Sequence, residues 1–144
     1  MIIKSVEKKA KAISAFLDKE WETANINRFG ENLPWIEKEE HIVALEEERI
    51  VGYLHYAYKG GVMEIAEIII ADNRQREGIG TALLKEADRI AAKLGAHKLY
   101  VLTGMGEGAV RFYKSNGYKI TGSIKNHYRN VDMVELSKLL IKEE

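Results

Sequence analysis

Cysteine is absent from the 144 residues. That excludes disulfides, thiolate metal ligands and cysteine nucleophiles, and it fits a reducing, cytoplasmic setting. An excess of either charge is missing too. The 22 basic and 22 acidic side chains cancel, so no net field would draw the chain onto DNA, RNA or an anionic membrane, and neither is expected as a partner. Apolar runs are short: none approaches the roughly 18 residues of a membrane helix. The opening Met1-Ile2-Ile3-Lys4 has neither the apolar core nor the small-residue cleavage site of a signal peptide. Proline occurs once, and no segment rich in Pro, Gly or Ser marks a linker. The four histidines, His41, His55, His97 and His127, lack metal-ligand spacing, so no metal is expected. What is present is an ordinary globular composition, 46% apolar and 31% charged, in a chain long enough to bury one core. A single domain over 1–144 is the expectation.

The pattern of apolar residues predicts the elements. Residues 2–6 read as a first strand, and 8–20 as a helix with Ala12, Ala15 and Phe16 at helical spacing. Residues 21–40 suggest a second short helix and a loop, broken at Gly30 and Pro34. From His41 the period becomes that of strands. Segment 41–45, an acidic turn at 46–48 and 49–58 form a predicted hairpin, and Gly60-Gly61 turns into a further strand over 62–70. That strand ends in the β-branched run Ile68-Ile69-Ile70. A helix follows over 78–94 with Leu83, Leu84, Ala87, Ile90, Ala91 and Leu94 in one stripe, stopped by Gly95. A strand at 98–103, a helix at 107–115 and a closing hairpin of 118–124 with 131–136 complete the order. This is an α/β (α+β) domain with a mixed sheet.

The stretch 67–84, E-I-I-I-A-D-N-R-Q-R-E-G-I-G-T-A-L-L, carries the chemistry. A buried strand runs through a short loop and two glycines into a long helix. The first N–H groups of a helix have no partner inside it, and the positive end of the helix dipole favours anions there. Gly78 and Gly80 let a phosphate approach the main chain, and Arg74 and Arg76 add charge at the rim. The same two glycines also suit plain tight packing. A dinucleotide fingerprint needs a third glycine where Leu83 stands, and no Gly-Lys-Ser/Thr follows for a nucleoside-triphosphate loop.

Gln75-Arg76-Glu77-Gly78-Ile79-Gly80 resembles the (Arg/Gln)-x-x-Gly-x-(Gly/Ala) pyrophosphate loop of the GNAT N-acetyltransferases. The strand before it resembles the strand of that family that pairs with the pantetheine arm. Downstream, Ala109-Val110-Arg111-Phe112-Tyr113-Lys114-Ser115-Asn116-Gly117-Tyr118 resembles the family's helix-and-turn signature. The resemblance implies a splayed mixed sheet of about six to seven strands flanked by about four helices. Acetyl-CoA would be the co-substrate, lying between strands 62–70 and 98–103. Main-chain groups of Ile68, Ile69 and Ile70 would bind the pantetheine amides as an added strand would and polarise the thioester carbonyl. Gln75, Arg76, Glu77, Gly78, Ile79, Gly80 and Thr81 would hold the pyrophosphate, with Ala109 also at the cofactor. The partner would be an amine-bearing acceptor, protein, peptide or small molecule.

Such an amine must be neutral to attack, so a base is needed. Glu67 on the strand beside the thioester is the first candidate, through water, and Glu64 the second; strict alternation sets the two on opposite faces. Tyr113 stands where the resemblance places an acid for the departing thiolate. Gly106 stands where many family members carry a cofactor-contacting Asn. The segment 21–35 and the turn 126–130 lie where relatives shape the acceptor pocket. A non-catalytic acyl-CoA sensor is the alternative reading, and a homodimer is the default assembly.

Overall fold

The computed structural model describes residues 1–33 and 35–140, and the chain divides into two compact units, Met1–Trp35 and Ile36–Glu144. The first unit is built on α1 (Lys11–Phe29). Its first turn starts on the Ala10 carbonyl, which accepts from the N–H groups of Ile13 and Ser14. It stops at Gly30, whose left-handed φ of 83° lets its N–H reach the Ile26 carbonyl, the usual glycine stop. The predicted break at Gly30 is therefore found; Pro34 lies outside the described residues.

Two expectations fail here. Residues 2–6 pair with no strand, because β-branched composition without a neighbouring ladder does not make a sheet. The helix also runs nine residues past Glu20, and among the described residues of 30–40 there is no second helix. Thr23, Asn25 and Asn27 are weak helix formers, but each costs under about 1 kcal/mol, and no Gly or Pro intervenes before Gly30. Thr23 spends its hydroxyl on the Lys19 carbonyl one turn back, as a mid-helix threonine does.

In the second unit, β1 (Glu37–Glu46), β2 (Arg49–Lys59), β3 (Val62–Ile70), β4 (Lys98–Gly104), β5 (Lys119–Ile124) and β6 (Met133–Leu139) form one sheet in the order β1-β2-β3-β4-β6-β5. All neighbours are antiparallel except β3 and β4. The β1–β2 turn uses left-handed Glu47 and Glu48, the β2–β3 turn left-handed Gly60 and Gly61, the geometry two-residue hairpins favour. At Gly61 the glycine is needed twice, since a Cβ would stand 2.6 Å from His97 Nδ1. The parallel step from β3 to β4 is made by α2 (Ile79–Leu94), as a crossover requires. After β4 comes α3 (Glu107–Ser115).

The predicted stripe of α2 does what its spacing says. Leu83, Leu84, Ala87 and Ala91 are buried, with Ile90 and Leu94 packed beside them. They meet Leu54, Tyr56, Met63, Ile65, Leu99, Val101, Val134 and Leu136 from one face of the sheet. Gly52 permits the approach, because a Cβ there would sit 2.8 Å from Ile79 Cγ2. The fold class stands as expected, a mixed sheet with helices, in six strands and three α-helices among the described residues. The missing strand and helix are those of residues 1–40.

Candidate active site

The parallel ladder between β3 and β4 is three pairs long: Val62 with Lys98, Met63 with Leu99, Glu64 with Tyr100. Beyond it, β3 pairs only with β2 and β4 only with β6. The sheet thus opens between the second half of β3 and the second half of β4. One edge of Ile65–Ile70 is left without a strand partner, a free main-chain edge of the kind extended ligands use. Ile68, Ile69 and Ile70 lie on it, and Ile70 leads directly into the glycine loop.

A bulge decides which side chains reach the same side. His55 pairs with Glu67 but Tyr56 pairs with Ile65, so Ala66 is an extra residue in β3. A bulge of this kind resets the alternation. Glu64 pairs with Ala57 and Glu67 with His55, all on the face away from α2, whereas Tyr56 and Leu54 face the core. The expectation that Glu64 and Glu67 occupy opposite faces is corrected: both carboxylates share one.

The loop after β3 begins with a 3-10 turn at Asp72–Arg74. Arg76 (φ 65°) and Gly78 (φ 84°) are both left-handed, and alternation of this type makes a concave row of N–H groups suited to anions. Gly78 is the N-cap of α2 and no side chain caps the helix. The N–H of Ala82 is taken by the Gly78 carbonyl, which leaves those of Ile79, Gly80 and Thr81 at the helix mouth. A Cβ at Gly78 would meet nothing within 4 Å, so this glycine serves backbone conformation and leaves open space over the loop. Gly80 differs: a Cβ there would lie 3.0 Å from Phe112 Cζ. The packing role holds for Gly80 and the phosphate role suits Gly78.

The two arginines also separate. Arg74 Nη2 bonds Glu46 Oε2 at 2.6 Å and Arg74 Nε bonds Glu77 Oε2 at 2.5 Å. Its guanidinium is held still more firmly charged by those two carboxylates, and its hydrogen bond and charge lower Glu46 in turn. Arg76 forms no ion pair among the described residues and is exposed, so it is the rim cation available to a ligand. Gln75 and Glu77 are likewise exposed.

From the other side α3 closes on α2. Phe112 covers Gly80, and Asn116 Nδ2 reaches Thr81 Oγ1 at 3.4 Å. Tyr113 follows Phe112 on the same helix. Tyr113 is buried, with edge contacts to Phe112 and Tyr118, and burial pushes its phenol up to about 12. Of the two tyrosines only Tyr118 has a buried hydroxyl without a partner, as does Asp88 Oδ1. Ala109 lies one turn before Tyr113 and is exposed. Gly106 caps α3 with no side-chain bond, and a Cβ there would meet nothing within 4 Å.

Sequence reasoning missed the histidines. His41 pairs with His55 across β1 and β2, the two rings stacking at 4.9 Å. His55 Nε2 bonds Glu39 Oε1 at 2.5 Å and His41 Nδ1 meets the Tyr53 hydroxyl at 2.7 Å. Read as isolated residues they carried no signal; their alignment depends on a second bulge, at Val51 opposite Ala44/Leu45. Among the described residues no group of His, Asp and Glu could hold a metal, and no helix is long and apolar enough to cross a membrane.

Residues 10–118 match the Acetyltransferase (GNAT) family. YjcF of Bacillus subtilis, an uncharacterized N-acetyltransferase, is 31% identical over 81 residues, covering 56% of this chain and 56% of that protein. The chain thus spans about half the length of this curated relative, and about a quarter of a second one. A GNAT family acetyltransferase from Elizabethkingia anophelis, solved with acetyl-CoA bound, superposes with a TM-score of 0.67 at 26% identity, covering 71% of this chain and 76% of that one. An acetyltransferase from Bacillus cereus shares the fold at a TM-score of 0.71 and 20% identity, over 95% of this chain and 98% of its own. The family match covers well over half of the chain and includes the opened strand, the glycine loop and α3: the chain belongs to the GNAT family of acetyltransferases.

Proposed function

We propose that this chain is an acetyl-CoA-dependent N-acetyltransferase that moves the acetyl group directly onto a primary amine held in the same complex. The family match crosses from the first compact unit into the second, which supports reading both as one acyltransferase domain. The observation that carries the proposal is the sheet opening after Glu64–Tyr100, with the glycine loop at the end of its free edge and Phe112 of α3 packed on Gly80. Acetyl-CoA supplies an activated thioester; the chain's residues supply binding, orientation and proton handling. Main-chain groups of Ile68, Ile69 and Ile70 hold the extended arm and polarise the carbonyl. The loop 75–81 takes the pyrophosphate, through left-handed Arg76 and Gly78 and the uncapped start of α2, and Ala109 borders the cofactor on α3.

An acceptor amine with an ordinary pKa near 10.4 must be made neutral, at a cost of about 4–5 kcal/mol at pH 7. Glu67 serves as the base through water, with Glu64 beside it on the same face. A phenol at about 12 is roughly 3.5 units weaker as an acid than a thiol near 8.5, a deficit of roughly 5 kcal/mol for full transfer. Tyr113 therefore acts as a hydrogen-bond donor to the departing sulfur, and the sulfur's proton comes from the amine itself.

The test is calorimetric titration with acetyl-CoA, against desulfo-CoA and ATP, followed by an amine panel. Micromolar acetyl-CoA binding with negligible ATP binding, then transfer to at least one amine, is expected. Binding without any transfer would favour an acyl-CoA sensor, and no binding to any coenzyme A species would end the proposal.

A further inference from the structure

The turn that ends α3 is fastened to α2 at two points, and the first of them is a hydroxyl of the glycine loop. Asn116 Nδ2 donates to the Phe112 carbonyl at 2.9 Å and to Thr81 Oγ1 at 3.4 Å. A carbonyl can only accept, so the bond to Phe112 fixes which end of the Asn116 amide is the NH2, and with it the direction of the second contact. Thr81 Oγ1 is therefore the acceptor there. The second point is the main chain. Lys138 Nζ donates to the Asn116 carbonyl at 3.3 Å and to Asp88 Oδ2 at 2.6 Å, about two turns further along α2. Gly117 makes room for this lysine, since a Cβ there would lie 3.3 Å from Lys138 Cε, and its φ of 91° is one that glycine adopts freely. The backbone and the side chain of Asn116 are thus both held, and a held amide orients what it touches.

A hydroxyl has one proton to give and two lone pairs. With a lone pair of Thr81 taken by Asn116, the proton is directed elsewhere. Thr23 of α1 gives its proton to the Lys19 carbonyl; among the described residues no group accepts that of Thr81. Thr81 is the third residue of α2, and its N–H is one of those left at the helix mouth. Helical side chains lean toward the N-terminus, which carries Oγ1 the same way. We propose that Asn116 is a positioning residue for the phosphate site, holding the Thr81 hydroxyl as a donor to the pyrophosphate of acetyl-CoA. The inference rests on the acetyltransferase reading above and concerns affinity for the co-substrate, not the transfer step. At 3.4 Å the contact is long for a hydrogen bond, so it orients the hydroxyl more than it stabilises the fold. A carboxylate in the same place could only accept, and would draw the Thr81 proton away from the ligand.

The experiment is calorimetric titration with acetyl-CoA on the wild-type chain, Thr81→Val, Asn116→Ala and the double variant, with chemical denaturation of each. Thr81→Val is expected to bind about tenfold more weakly, the scale of one hydrogen bond to a charged group, and Asn116→Ala about threefold. In the Thr81→Val background, Asn116→Ala should still lower the unfolding midpoint, because the bond to Phe112 is lost, but should leave the affinity within about twofold. A merely structural Asn116 would weaken binding by the same factor in both backgrounds. That result would overturn the proposal, as would wild-type affinity in either single variant. Asn116→Asp repeats the cycle with a side chain of the same shape, should the alanine variant not fold. Its loss should exceed about threefold and be larger with Thr81 present than in the Thr81→Val background; equal losses would overturn the proposal here too. Those failures leave the acetyltransferase reading standing, whereas a wild-type chain that binds no coenzyme A species would end both.

Discussion

The two faces of the β1–β3 ladder follow different rules. The face toward α2 carries Leu54, Tyr56, Tyr58, Met63 and Ile65, all buried in one cluster with the apolar stripe of α2. The opposite face carries Glu39, His41, Tyr53, His55, Glu64 and Glu67 in paired rows. Burial holds the first face in place, and each side chain there is fixed by volume and by the loss of apolar contact if it moves. On the second face the side chains are placed by backbone register, and two bulges set that register. On the proposed function, stability and chemistry are separated by the thickness of one sheet, and substitutions on each face should be felt in different measurements.

The largest effect should come from the packed face. Leu54 is fully buried against α2, so Leu54→Ala removes its contacts and leaves a cavity, at a cost of about 2–5 kcal/mol. Chemical denaturation would show it as a lowered midpoint with little change in slope. Acetyl-CoA affinity, measured well below the transition, should change far less than stability. A Leu54→Ala chain of wild-type stability would mean that α2 is not the clamp on this sheet.

On the opposite face, Glu67→Gln is expected to leave the unfolding midpoint within about 0.5 kcal/mol and to reduce kcat about a hundredfold, the low end for a general base. Glu64→Gln should cost less than tenfold. A reversal of that order would move the base to Glu64 while keeping the face, since the Ala66 bulge puts both carboxylates there.

The same contrast explains what could be read from the sequence. The α2 stripe, the Gly95 stop, β3 and α3 follow from spacing and turn residues, because burial on one side repeats with the period of the element. The loop 75–80 was legible for a similar reason, since an apolar strand, two glycines and a helix start are all local, but the strand's end is not buried as expected: Ile69 is exposed and Ile68 and Ile70 are half-buried. The bulges were not. Counted back from a plain turn at Glu47–Glu48, His41 would face Leu54; the extra Val51 brings it to His55. Counted from Gly60–Gly61, His55 would face Ala66, and only the extra residue brings in Glu67. Neither Val51 nor Ala66 carries a glycine or proline to announce itself. The polar row was thus hidden by two single-residue shifts, and the extent of α1 by weak helix formers with no stop signal.

Tyr113 sits on the boundary of this comparison, a proposed site residue that is buried. Tyr113→Phe should keep acetyl-CoA binding and lower kcat about tenfold, the scale of one hydrogen bond made in the transition state, about 1.4 kcal/mol. With its phenol pushed up to about 12, the wild-type residue stays protonated from pH 6 to 10. The shape of the kcat profile should therefore be the same in both proteins over that range. A descending limb lost in the variant would mean a far more acidic phenol. The sign for stability follows from the same burial. A raised phenol contributes no pH dependence below the ordinary value near 10, and stability falls from there as pH rises toward about 12. Tyr56 and Tyr100, also raised to about 12 and mainly by burial, add to the same alkaline loss.

The smallest effect should come from a position where neither packing nor conformation demands the residue present. Gly106 has φ −59° and ψ 132°, a conformation any residue adopts, and open space where a Cβ would stand. It caps α3 without a side-chain acceptor. Asn accepts the N–H groups of the first turn, but Gly is itself tolerated there, so Gly106→Asn should stabilise by only a few tenths of a kcal/mol. The melting temperature would rise by about 1–2 °C at this chain length. Because the resemblance also gives an Asn here a contact with the cofactor, calorimetry should register tighter acetyl-CoA binding in the same variant. Higher stability with unchanged affinity would mean that the main chain of the loop 103–108 already makes that contact. Weaker binding would mean that the ligand's path runs through the space the glycine leaves.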